Sequence, residues 1–389
     1  TILIQTDGMT SEPISSVESS RRRSLRSWRP GDQPWELKDS STGRKGLRDL
    51  ASNDYLGLAH HPAVIEAAAL ALDVDGVGAG GSRLVTGTRP RHTRLEEELG
   101  EWLGRDQVLL FPSGFQANLA AVAALAERHT TVLADRLIHY SLLVGVRASG
   151  ARLQRFAHND LEDLDRRLHR LNRNNTAPVV ISESLFSMEG TSPDLKAMAA
   201  LCARHGAQLL VDEAHGLGVL GPGGRGLCWG VNDPVHLISG TFGKAFGSGG
   251  AFLAGDAAMG ERLLQTSGAF RYTTALAPPL VAGAQAALDL IKANPHWGQA
   301  LIQRSEAWRT ALALAGWQRP LGIGPVLPLL LNSDQAALDY QQQLEQYGLL
   351  SIAIRPPTVP EGTSRLRLVL RKDLPDDTLE LLLGALAAG

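Results

Sequence analysis

Leu209-Leu210-Val211-Asp212-Glu213-Ala214-His215-Gly216 is the stretch on which the reading of the fold turns. Three large apolar residues in a row end in a carboxylate, and an imidazole follows shortly after. This is the pattern of a buried strand whose carboxyl end opens onto a loop. In open α/β sheets ligands sit in the crevice beyond the carboxyl ends of the strands, so Asp212 and His215 face a candidate site. Similar short apolar runs at 108–111, 132–134, 179–182 and 237–239 alternate with helix-like stretches such as 63–72 and 118–128. Short apolar strands separated by helices predict a mainly parallel α/β sheet covered on both faces.

After about residue 285 the texture changes. A long helical stretch at 281–315, broken near Pro295, leads into a strand-like run at 326–331. A helix capped near Ser333 and ended by Gly348 comes next. Runs at 349–354 and 365–370 and a closing helix from about Asp376 complete the chain. The expected organisation is an N-terminal arm (1–50), a large domain (51–285) with a mainly parallel mixed sheet flanked by helices, and a smaller α+β C-terminal domain (286–389).

Bulk composition excludes several classes of function. The 389 residues are 44% hydrophobic and 20% charged, with a formal net charge of −2, so no global field favours nucleic acid or an anionic membrane. Cys202 and Cys228 form no CxxC pair, which argues against a disulfide framework and fits a reducing cytoplasm. No apolar run reaches the roughly 18 residues that span a bilayer. Residues 1–20 have no signal-peptide core and are expected to be loosely ordered. The 11 histidines contain no HExxH or comparable metal-ligand spacing, so no metal is expected.

The chemistry lies in three stretches. Beyond the strand that ends at Asp212, Ser239-Gly240-Thr241-Phe242-Gly243-Lys244-Ala245-Phe246-Gly247 puts a lysine in a glycine-rich loop after another strand. Pro112-Ser113-Gly114-Phe115-Gln116-Ala117-Asn118 joins a strand to an Ala-rich helix. A pyridoxal 5'-phosphate (PLP) site needs these residue types. It requires a lysine amine to form a Schiff base, a carboxylate to keep the pyridine nitrogen protonated, and backbone N–H groups at a helix start for the phosphate. Singly, each has a plainer reading as a helix cap, a solvated loop lysine or a turn. Their order on one α/β frame carries the assignment. Gly76-Val77-Gly78-Ala79-Gly80-Gly81 satisfies GxGxxG in letters, but it follows a helix rather than the strand a dinucleotide fingerprint needs. Gly243-Lys244 is no phosphate-binding P-loop, because position 238 is Ile and Ala245 stands where Ser or Thr is required.

With these motifs, the chain resembles the α-oxoamine synthase family of fold-type I PLP enzymes. The resemblance runs from about Leu25 to the C-terminus. Its motifs are Asn53-Asp54-Tyr55-Leu56-Gly57-Leu58, Gly80-Gly81-Ser82-Arg83-Leu84, Ala134-Asp135-Arg136 followed by His139, Arg155-Phe156-Ala157-His158-Asn159-Asp160 and Phe186-Ser187-Met188-Glu189-Gly190. The resemblance implies that Lys244 carries the cofactor and later moves the substrate proton, while Asp212 pairs with the ring nitrogen. It places His215 and Ser187 on the phenolic oxygen side, and Gly114, Phe115 and Thr241 around the cofactor and its phosphate. His139 would stack on the ring and assist acyl transfer, and Asn53 and Glu183 would line the pocket. A homodimer with the site at its interface is implied, with Thr273 and Thr274 reaching the phosphate of the other subunit.

Substrate choice is expected to rest on Arg355-Pro356-Pro357-Thr358-Val359-Pro360, followed by Arg365-Leu366-Arg367. The resemblance is to members that condense L-alanine with a pimeloyl thioester, carried by CoA or an acyl carrier protein. Arg355, with Thr358 beside it, offers a planar fork for the amino-acid carboxylate. Arg26, in the basic cluster at 21–28, would meet the distal acyl carboxylate. Tyr140 and the Phe270-Arg271-Tyr272 segment depart from the family pattern and bear on acyl selectivity. A glycine-using relative, a catalytically silent PLP-fold subunit and a nucleotide-binding reductase are the competing readings. The presence of both Lys244 and Asp212 counts against the second.

Overall fold

The computed structural model describes residues 19–41, 46–171 and 176–388. The expectation of loose order for residues 1–20 therefore falls almost wholly outside the described residues. Seven strands form the central sheet, named in chain order: β1 (Gln107–Phe111), β2 (Thr131–Asp135), β3 (Arg152–Phe156), β4 (Val179–Glu183), β5 (Gln208–Asp212), β6 (Leu237–Thr241) and β7 (Ala251–Gly255). Their spatial order is β1-β7-β6-β5-β4-β2-β3, and β7 runs antiparallel to both of its neighbours. The sheet is thus mixed and mainly parallel.

The five expected strands are present, each slightly longer than its apolar run. Central positions such as Leu133, Val180, Leu209 and Val211 are fully buried, because helices cover both faces. Two strands escaped the sequence reading. Arg-Leu-Gln-Arg-Phe at 152–156 is polar because β3 is an edge strand with one partner. Ala-Phe-Leu-Ala-Gly at 251–255 is too short and too rich in small residues to be told from a helix turn by periodicity.

The helix expected at 118–128 runs instead from Gly114 to Leu125. Ser113 caps it, its Oγ accepting from the N–H of Gln116 at 3.3 Å. Chain 281–315 is two helices, Pro278–Ala293 and Trp297–Leu314, parted near Pro295 as expected. The glycine run at 76–81 follows helix Pro62–Asp75, with Gly76 at φ +79° as its cap, so no strand precedes it.

The C-terminal part carries a three-stranded antiparallel sheet ordered Val326–Leu330, Arg365–Val369, Ile352–Ile354. The single run expected at 349–354 is split at Ser351. Leu349–Leu350 pairs in parallel with Leu47–Asp49, while Ile352–Ile354 pairs with Arg365–Val369. The arm strands Trp28–Pro30, Glu36–Asp39 and Leu47–Asp49 therefore belong to one four-stranded sheet with a C-terminal segment. The expected boundary at 286 also falls inside helix Pro278–Ala293. Pairing between residues hundreds of positions apart sews the arm to the C-terminal part, and no local sequence signal encodes it. Among the described residues no helix is long and apolar enough to cross a membrane.

Candidate active site

Parallel register brings the chemistry together. Asp212, the last residue of β5, pairs across the sheet with Glu183 of β4 and Ser239 of β6. Residues in register on adjacent parallel strands present their side chains on the same face, about 4.8 Å apart. All three line one cavity of about 190 Å³, together with Gly114, Phe115, Asn118, His139, His215, Thr241 and Lys244. The strand ends supply the carboxylates, the loop after β6 supplies the amine, and the start of helix Gly114–Leu125 supplies N–H groups without intrahelical partners.

Each charged group is tuned by its surroundings. Burial pushes the Lys244 amine down to about 8, against the attraction of Asp212 and Glu183 and with help from Arg367. Burial, then the neighbouring Asp212 charge, raises Glu183 well above the carboxylate range. Its Oε1 accepts the backbone N–H of His139 at 2.5 Å. His215 is driven well below its ordinary value by burial, and by Lys244, Arg367 and His139, and so stays neutral. Its Nδ1 meets the hydroxyl of fully buried Tyr55 at 2.5 Å. Asp212 is held at both oxygens: Oδ1 accepts from Ala214 N–H at 2.9 Å and Oδ2 from the Asn118 amide at 2.7 Å.

Of the sequence-predicted residues, Lys244, Asp212, His139, His215, Gly114, Phe115, Thr241 and Glu183 share this cavity. The Thr241 hydroxyl donates to the carbonyl of Gly250 at 3.0 Å and accepts from Gly243 N–H at 3.2 Å, which turns its proton away from the cavity. Ser187 and Asn53 meet the site through Arg367, whose Nε donates to Ser187 O at 2.6 Å and whose Nη2 donates to Asn53 Oδ1 at 2.8 Å. Thr273 and Thr274 line a separate depression of about 360 Å³ with Ser82, Leu84, Val85 and Tyr272.

Three substrate residues lie elsewhere. Arg26 does not reach the cavity: it pairs with Asp39 at 2.9 Å and Glu345 at 2.5 Å and stacks on Trp28, because the arm strands hold it there. The Arg355 guanidinium donates to the Ser20 carbonyl of the arm, and Thr358 sits in an exposed turn just beyond it, its N–H bonded to Arg355 O at 3.1 Å. The arginine beside Asn53 is Arg367, the second arginine of Arg365-Leu366-Arg367, for which the motif by itself indicates no separate role. Asn118, Tyr55 and Ser239 likewise lie within the motif stretches without an expected role, whereas nothing local marks Ser141.

Residues 45–386 match the family model described as aminotransferase class I and II. The chain belongs to the aminotransferase class I and II family. Within that family it is similar to the 8-amino-7-oxononanoate synthase of Chromohalobacter salexigens, 40% identical over 371 residues that span 95% of this chain and 96% of the relative. Among solved structures it overlays serine palmitoyltransferase with PLP at TM-score 0.88 and 30% identity, covering 94% of this chain and 92% of that one. It overlays the 8-amino-7-oxononanoate synthase of Francisella tularensis at TM-score 0.76 and 25% identity, covering 88% and 97%. Family membership agrees with the α/β class and mixed sheet expected from the strand pattern.

The donor set fits the cofactor these comparisons point to. A buried amine, a doubly anchored carboxylate and a helix start converge on one cavity, which is the set a pyridine aldehyde bearing a phosphate requires.

Proposed function

We propose that the protein is a PLP-dependent 8-amino-7-oxononanoate synthase, which joins L-alanine to a pimeloyl thioester with release of carbon dioxide and free thiol, a step of biotin biosynthesis. The observation that carries this is the meeting of Lys244 and Asp212 in one cavity, on a chain about 40% identical to synthases of that name over most of its length. Bound PLP supplies an aldehyde that holds an amine covalently and a ring that accepts electrons. Lys244 is the attachment point. The same amine would serve as base for the alanine Cα proton, and its depressed proton affinity keeps it neutral enough for that task. Asp212, its orientation fixed by Asn118 and the Ala214 N–H, would hold a proton on the ring nitrogen. Neutral His215, steadied by Tyr55, would lie on the phenolic oxygen side of the bound cofactor. Arg367, together with Asn53, receives the amino-acid carboxylate.

The working form is a homodimer. Leu84, Val85 and Tyr272 are exposed on the surface that carries Thr273 and Thr274, with Tyr272 81% and Val85 76% exposed. Exposed apolar groups of this kind favour a second copy, and the two threonines then reach the other subunit's phosphate. The deciding assay measures thiol and carbon dioxide released together. L-alanine with pimeloyl-CoA or pimeloyl-acyl carrier protein should yield both in equal amounts. Preference for L-serine with palmitoyl-CoA, or for glycine with a short acyl-CoA, would overturn the substrate assignment.

A further inference from the structure

Four side chains that line the cavity, three of them buried, form a chain of hydrogen bonds. The Asn118 amide nitrogen lies 2.7 Å from Asp212 Oδ2 and 2.9 Å from Ser141 Oγ. Ser141 Oγ lies 2.7 Å from His139 Nδ1, and the Ser141 N–H points at the same nitrogen from 3.3 Å. Asn118 is 3% exposed, Ser141 0% and Asp212 5%.

Proton accounting gives this chain a direction. A carboxylate only accepts, so the Asn118 atom facing Asp212 is the NH₂ group, and its two hydrogens go to Asp212 and Ser141. Ser141 Oγ accepts from Asn118 and has one hydrogen left, which can point only along its other contact, to His139 Nδ1. That nitrogen also takes the helix-capping N–H of Ser141. It is therefore an acceptor twice over, and the imidazole proton resides on Nε2, which has no hydrogen-bond partner among the described residues. The orientation leaves Asn118 Oδ1 buried without a partner. Burying an unsatisfied carbonyl is costly, and an apolar residue of similar shape would avoid it, so packing alone gives no reason for an amide here.

We propose that Asn118 and Ser141 are positioning residues that fix His139 as the neutral Nε2–H tautomer, so that the imidazole serves the site as an N–H donor to a substrate oxygen rather than as a base. The groups facing His139 are Asp212 at the end of β5, Glu183 of β4, Lys244 after β6, and His215. Asp212 favours the imidazolium, whereas Lys244 and burial oppose it. Protonating Nδ1 would also force the Ser141 hydroxyl to give up its donation there. The inference deepens the reading proposed for this cavity. It is tested on the cofactor-free protein without substrate, so its failure is distinct from failure of the thiol-release assay.

The experiment is nitrogen NMR on protein labelled in the histidine rings, with His139 assigned by its loss in His139→Gln. The wild type should show Nδ1 unprotonated and Nε2 protonated from pH 6 to 8. In Asn118→Asp the double donor becomes an acceptor that draws the Ser141 proton to itself. His139 should then take a proton on Nδ1, with its titration raised by at least about one pH unit, tenfold in proton affinity. Ser141→Ala, which leaves Nδ1 only the longer backbone N–H contact at 3.3 Å, should raise the share of the Nδ1–H tautomer, and Ser141→Thr, which keeps a hydroxyl, should restore the wild-type spectrum. If Asn118→Asp does not fold, the two Ser141 variants decide alone. A wild-type His139 protonated on Nδ1, or a folded Asn118→Asp or Ser141→Ala with unchanged ring signals, would overturn the proposal.

Discussion

Two arginines compete for the role of carboxylate receptor, and exchanging each for lysine separates them. Arg367 is 6% exposed and already uses two of its five N–H donors, on Ser187 O and Asn53 Oδ1. Its guanidinium also meets the Tyr55 side chain, and the N–H groups left over are the ones proposed to receive the carboxylate of the amino-acid substrate. Lysine offers a point charge in place of a fork and cannot hold both anchors and bind a planar carboxylate as well. Losing one charge-assisted hydrogen bond costs about 1.5–3 kcal/mol. At about 1.4 kcal/mol per factor of ten, kcat/KM for alanine should fall roughly 10- to 100-fold in Arg367→Lys. The thioester KM should change little. Arg355→Lys touches the arm at Ser20 and should leave the alanine KM within about twofold, a change under about 0.5 kcal/mol. Steady-state thiol release at varied alanine concentration gives both numbers. If Arg355→Lys weakened alanine as much as Arg367→Lys, or Arg367→Lys left it unchanged, the geometric assignment would fail.

Further expectations concern the lysine, the sheet and the dimer surface. Lys244→Met should abolish thiol release. It should also change the pH dependence of stability of the cofactor-free protein, because the unfolded chain protonates this amine up to its usual 10.5 while the fold holds it near 8. The unfolded state binds the extra proton between those values, so the wild type gains stability as pH rises through that window. Below it, the methionine variant should be the more stable, by an amount on the order of 3 kcal/mol that shrinks toward pH 10.5. Denaturant melts showing the same difference at pH 7 and 10.5 would contradict this. Gly240→Ala places a methyl group against the Phe252 ring and Leu217, and overpacking of this kind costs about 1–3 kcal/mol, which calorimetry would register as a lower Tm. Leu84→Asp combined with Val85→Asp should yield monomers by light scattering; a persisting dimer would place the interface elsewhere.

How much was legible varies with sequence distance. The strand ending at Asp212 and the glycine-lined turn of Lys244 are local patterns, and each is readable from a handful of adjacent residues, whereas the helix start capped by Ser113 lies four residues before the expected one. The polar edge strand at 152–156 was not legible, because an edge strand need not be apolar. The division of 349–354 between two sheets was also invisible: Ser351 looks like any strand residue until its neighbours choose different partners. Arg26 and Arg355 were assigned by motif position, and both proved to belong to contacts between the arm and the C-terminal segment.

By itself the sequence determined the alternation of buried strands and helices, and with it the amine and the carboxylate that meet in one cavity. Those choices are written in hydrophobic periodicity and in loop chemistry, which act over a few residues. Tertiary structure decided which arginine stands beside Asn53, that Asn118 and Ser141 tie Asp212 to His139, and that the arm pairs with residues 349–350. The physical reason is the same in each case. A hydrogen bond depends on where two atoms lie to within a fraction of an ångström, and only the packed sheet sets that position for groups far apart along the chain.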